Sequence, residues 1–110
     1  MGMPDVTLGE FEQLVLLALV RQGTDAYGVS ICQDIVDRTG RDVSLGAVYK
    51  TLERLQDKGL VQSRIGQPTA ERGGRRKKYY RLLATGQRAL RQSVAAIRNM
   101  TEGLEAELKL

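Results

Sequence analysis

The chain has 110 residues, 42% apolar and 27% charged, with a formal charge of +4. That is the size of one domain and the composition of a folded protein, which excludes a disordered chain and a multidomain machine. A single cysteine excludes an intramolecular disulfide, and the lack of histidine removes the commonest general base and metal ligand together.

Taken in chain order, Thr7 followed by Glu10 predicts a capping box. The helix it opens, over 7–22, carries Leu8, Phe11, Leu14, Val15, Leu17, Ala18 and Leu19 around most of its circumference. Such a helix is buried on more than one side. Its apolar run, Leu14 to Val20, is far shorter than the roughly 20 residues a membrane span needs. Glu10 and Glu12 stand before it where a signal peptide carries cations, so a cytoplasmic protein is expected. Gly23 stops this helix.

After a turn at "TDAYG", a second helix is predicted over about Tyr27 to Arg38, ended by Gly40. Cys32 falls in its apolar stripe and reads as a small buried residue rather than a redox sensor. "RDV" reads as short and extended. Ser44 then caps a third helix from Leu45 to Lys58, with Leu45, Val48, Leu52 and Leu55 turned inward and Gly59 as terminator.

The period changes next. Val61, Ser63 and Ile65 alternate with Gln62 and Arg64, and Tyr80 and Leu82 alternate with Tyr79 and Arg81. Two strands flanking "QPTAERGG" predict an antiparallel hairpin. Thr85 is expected to cap a last helix running to the C-terminus, along which Leu90, Val94, Ile97, Thr101, Leu104 and Leu108 form a heptad seam. A narrow seam on so long a helix fits pairing with a second chain, with helix 7–22 contributing.

The expected fold is mainly α with a small β-hairpin. Two helices on a short connection, the second with one face open, follow the helix-turn-helix plan, and the hairpin is its wing. Such a unit leaves a helix free to enter the major groove of DNA. Charge is concentrated in that wing: Arg64 to Arg81 hold seven cations and one acid, Glu71, an excess of six against +4 for the whole chain. On the third helix the outward positions are read as Ala47, Lys50, Thr51 and Arg54, with Ser44 and Gly46 at the leading end and Tyr49 flanking. Small residues permit close approach, the cations reach phosphate or guanine, and threonine reaches phosphate or a thymine methyl.

"LGEFEQLVLLALV", "AYGVSICQDI", "DVSLGAVYKTLERLQDKGLV" and "ERGGRRKKYYRLLATG" resemble, in order, the successive motifs of the PadR family of bacterial transcription regulators. The resemblance covers roughly Leu8 to Arg91. It implies a winged helix-turn-helix over 1–84, a C-terminal dimerisation helix over 85–110, and repression from a palindromic operator by a homodimer. It also gives Tyr49 and Lys50 a DNA role and places Arg72, Gly73, Gly74, Arg75, Arg76, Lys77 and Lys78 on phosphate or in the minor groove. A small-molecule effector is common in such proteins, at a dimer-interface cavity lined by aromatics. Here the last helix carries none of the five aromatic residues, so its identity is open.

Other classes fit less well. A winged-helix module that binds protein instead predicts a wing of mixed sign or apolar character. A metal site or cofactor lacks ligands, and an enzyme lacks a nucleophile–base pair or convergent carboxylates.

Overall fold

The computed structural model describes residues 7–68 and 76–110. Helix α1 (Glu10–Gln22) starts on Gly9 rather than Thr7, and Glu12 Oε1 accepts the Gly9 N–H at 2.9 Å. The reach-back of a capping box is therefore present, but two residues later than the sequence predicts. The displaced Glu10 is engaged elsewhere: Arg41 donates to both its oxygens at 2.8 and 2.9 Å. Gly23, at φ +67°, ends the helix in a backbone region that only glycine enters freely.

A single 3₁₀ turn, Gly23–Asp25, leads into a two-residue strand β1 (Ala26–Tyr27). Helix α2 (Gly28–Thr39) follows, with Ser30 Oγ accepting the Tyr27 N–H at 3.0 Å, and Gly40 closes it in the left-handed region. Helix α3 (Leu45–Asp57) is capped as expected by Ser44, whose hydroxyl accepts from the Ala47 N–H at 3.1 Å. Strands β2 (Val61–Pro68) and β3 (Arg76–Leu82) form the hairpin, and α4 (Ala84–Thr101) and the short α5 (Glu105–Leu108) complete the chain.

The sheet has three strands, not two, in the order β1-β3-β2 and antiparallel throughout. The expected strand at "RDV" is irregular; the extra strand comes instead from "AY", read in sequence as part of a turn. Two residues are too few to show a period. They become a strand because β3 offers them its free edge, pairing Ala26 with Tyr80 and Tyr27 with Tyr79.

One core joins all these elements: Val15, Leu16 and Leu19 from α1, Ile31 and Ile35 from α2, Val48, Leu52 and Leu55 from α3, Val61 and Tyr80 from the sheet, and Leu90 from α4. Truncating any one of the large aliphatics among them to alanine is worth about 2–5 kcal/mol. Cys32 is partly buried against this core, with its thiol 3.5 Å from the Val43 carbonyl.

Helix α4 departs from expectation at both ends. Its cap is Leu83, and the Thr85 hydroxyl donates to the Gly59 carbonyl at 2.5 Å, fastening the helix start to the end of α3. Gly86 is buried against the Leu60 carbonyl, where any side chain would collide with backbone. The helix stops at Thr101, and Gly103 at φ +86° breaks it before α5. The heptad seam is therefore not continuous. Leu90 is buried and Val94 partly so, in their own chain's core; Ile97 is 60% exposed, and Leu104 and Leu108 lie beyond the break. The radius of gyration, 15.9 Å, exceeds the roughly 13 Å of a compact chain this long. Residues 96–100 of α4 are all exposed.

Candidate nucleic-acid interface

Helix α3 meets the core through Val48, Leu52 and Leu55, all fully buried. At about 100° per residue, Leu45 and Thr51 flank that stripe on opposite edges, each roughly 60° from Val48. The structure buries the edge that sequence reads as open. Thr51 is 3% exposed, whereas Leu45, expected inward, is 39% exposed. The reason is α1, which packs along the Thr51 side. Next to Thr51 on that edge, Arg54 donates from Nε to Glu12 Oε2 of α1 at 3.2 Å, and Lys58 Nζ reaches the same oxygen at 2.8 Å.

Glu12 is only 5% exposed. Burial pushes its carboxyl upward, but hydrogen bonds from Lys58, the Gly9 N–H and Arg54 outweigh this and hold it below the usual carboxylate range. Arg54 is thus tethered to α1, though about half its side chain still meets solvent. Thr51 is withdrawn from any contact with a ligand on the outer face. Gly46, Ala47, Tyr49 and Lys50 remain exposed there, with Ser44 exposed at the helix start. Glu53 is exposed as well, so the face is not purely basic.

Tyr49 lies over Gly28, the first residue of α2, and a Cβ at that glycine would collide with the tyrosine ring. From there the surface passes to the sheet. In register across the three strands stand Tyr27 of β1, Tyr79 of β3 and Arg64 of β2, and directly paired residues share one sheet face. The two rings meet edge to face, centroids 5.9 Å apart. The Arg64 guanidinium lies 4.5 Å from the centre of the Tyr79 ring, and its Nη2 donates to the Thr24 carbonyl at 3.0 Å. Lys77 Nζ lies 4.4 Å from the centre of the Tyr27 ring. Gly66 is buried beneath Tyr79, and a Cβ there would collide with that ring.

Arg76, Lys77 and Lys78, the first residues of β3, are all exposed. The expected wing contacts at Arg72, Gly73, Gly74 and Arg75 lie outside the described residues. The sequence pattern sets Tyr79 with Arg81 on the strand side opposite Tyr80, and gives no part in this site to Tyr27, Gly28, Gly66 or Glu12. Only their register and packing bring them to the site. Among the described residues no group of three His, Cys, Asp or Glu side chains could hold a metal ion.

Helix-turn-helix followed by a β-hairpin, on a three-helix core with a third strand at the hairpin's edge, is a winged-helix domain. The chain belongs to the PadR-like family of transcriptional regulators, whose pattern it matches over residues 16–92. That makes it a regulator of transcription and not an enzyme. It is similar to a PadR family transcription regulator from Clostridium difficile R20291, with TM-score 0.74 and 25% identity, covering 91% of this chain and 99% of that one. A PadR family regulator from Eggerthella lenta gives TM-score 0.66 and 28% identity, over 90% and 86% of the two chains. Bacillus subtilis PadR, solved in complex with operator DNA, shares the fold at TM-score 0.64 and 23% identity, over 76% of this chain and 47% of that one. The transcriptional activator GvpE2 of Halobacterium salinarum is 36% identical over 61 residues, 56% of this chain. The chain spans about a third of that protein's length.

Proposed function

We propose that the chain binds double-stranded DNA as a homodimer, with the start of α3 in the major groove and the wing along the backbone or minor groove. The observation that carries this reading is one connected surface. Exposed Gly46, Ala47 and Lys50 lead to Tyr49, across Gly28 and Tyr27, to Tyr79 and the cations that open β3. Small residues at a helix start and cations on an adjoining strand suit base edges and phosphates respectively. The fold shared with a PadR solved on its operator supports the same reading.

A second copy would cover the apolar residues left bare: Leu17 and Val20 on α1, and Ile97 and Met100 on α4. Two copies related by a two-fold axis read a palindrome with half-sites about one or two helical turns apart. We adopt repression as the sign of regulation, as the family resemblance implies, since a bound dimer excludes polymerase by occupancy alone. The activator relative leaves the sign to a reporter assay, because the shared part is a third of that protein.

The test is selection of duplexes from a random 30-bp library, followed by fluorescence anisotropy against salt. Binding should weaken steeply with salt, and Arg76→Ala with Lys78→Ala should flatten the log–log slope by about 2, roughly 0.9 per lost phosphate contact. No enriched duplex, or a slope that the double change leaves as it was, overturns the reading.

A further inference from the structure

The wing joins the body through few core contacts beyond Val61 and Tyr80. Ile65 is 58% exposed, and β2 past Ser63 contributes only Gly66 to the buried residues. Something else must hold the hairpin's angle to α3. On the outer face, Arg64 is the one cation of β2, and it is doubly engaged, stacked on Tyr79 and bonded to the Thr24 carbonyl before β1. Tyr79 is gripped on three sides: Arg64 over its ring, Tyr27 against its edge, and Gly66 leaving the space in which the ring lies.

Tyr27 continues the chain of contacts, because the residue after it, Gly28, is the floor under Tyr49 of α3. An unbroken path thus runs Arg64, Tyr79, Tyr27, Gly28, Tyr49, from the far strand of the wing to the exposed face of the reading helix. A guanidinium held over an aromatic ring and bonded through Nη2 to a carbonyl is fixed against its own fold, unlike a phosphate-binding arginine free to swing toward the backbone of DNA.

We propose that Arg64 and Tyr79 are positioning residues that clamp the wing at a set angle to α3, and that Arg64, despite lying in the basic segment, does not bind phosphate. The proposal rests on the DNA-binding reading above. Its consequence is a separation of effects. Loss of a phosphate contact weakens all sequences alike and lowers the salt slope by about 1, whereas loss of alignment weakens the fitted site and leaves the slope alone.

The experiment compares Arg64→Gln, Tyr79→Leu, the double variant and Arg64→Lys. Each is titrated with the duplex selected by the wild-type protein and with an arbitrary 30-bp duplex. Arg64→Gln and Tyr79→Leu should each weaken the selected duplex about tenfold or more, change the arbitrary duplex less than about twofold, and keep the salt slope. The double variant should be no worse than the worse single one, since both changes open the same clamp. Arg64→Lys, which keeps a cation over the ring, should stay within about threefold of wild type. Equal losses on both duplexes with a reduced slope would make Arg64 a phosphate contact and overturn the proposal. So would unchanged binding to both.

A measurement without DNA separates the clamp from the reading it rests on. Amide exchange across Val61–Gly66 should quicken about tenfold in Arg64→Gln, with the melting temperature held within a few degrees because the residue is off the core. Unchanged exchange would sink the clamp even if the wild-type protein selects a duplex. Faster exchange with no selected duplex would instead leave the clamp as a structural tie and overturn its role in DNA alignment.

Discussion

Lys50 and Thr51 are neighbours in sequence with opposite fates. Lysine at 50 points to solvent, and threonine at 51 is buried where α1 covers its edge of α3. Among the described residues its hydroxyl has one partner, accepting from Arg54 Nη2 at 3.4 Å, a weak bond. Thr51→Val should therefore change stability by no more than about 1 kcal/mol. Duplex selection repeated with that variant should return the wild-type consensus, while Lys50→Ala should return a shifted or degenerate one. A shifted consensus for Thr51→Val would place the residue at the DNA after all.

Between elements, the tie between α1 and α3 is a buried carboxylate with two cationic partners. Glu12 accepts from Arg54 and Lys58 across a helix pair and from its own helix's Gly9 N–H. Removing its charge in Glu12→Gln leaves the two cations without their partner, at a cost of about 1–3 kcal/mol at pH 7. The sign of its pH dependence follows from the lowered carboxyl. A folded-state pKa below the unfolded one contributes stability above the unfolded value, and that contribution is lost as pH falls through the folded one. Denaturant titrations should thus show wild type and Glu12→Gln apart at pH 7 and converging as pH drops below about 4. A gap that persists in acid would show that the glutamate acts through packing rather than charge. Because α1 also carries the exposed Leu17 and Val20, this tie joins the proposed dimer face to α3 and the proposed DNA-reading face.

For the whole molecule, the question is what covers the bare half of α4. Leu90 and Val94 are occupied by their own chain, so only the later seam is available to a partner. Ile97→Asp combined with Leu104→Asp changes two exposed residues and should leave the fold intact. Sedimentation should find wild type dimeric at micromolar concentration and this variant monomeric. A dimer that survives both charges would move the interface elsewhere, with the groove between α1 and α2 over Leu14, Leu17 and Ile35 as the next place to look.

Local chemistry alone determined much of this protein. Glycines at 23, 40 and 59, the serine cap at 44 and the switch from helical to alternating period placed three helices and a hairpin, because each depends on neighbours a few residues away. The order of those elements and the family motifs were enough to indicate a winged helix. Tertiary structure decided what depends on distant partners. On the α3 stripe the sequence favours the leucine edge over the threonine edge, and it is the packing of α1 that covers the threonine one. A strand of two residues exists only because β3 has an edge to pair with. A seam that looks continuous over 90–108 is divided at Gly103, where a positive φ interrupts the helix that the hydrophobic spacing alone would extend. Arg64 counts in sequence as one more charge of a basic run, and its stacked, bonded place on Tyr79 follows from register, which no local pattern encodes.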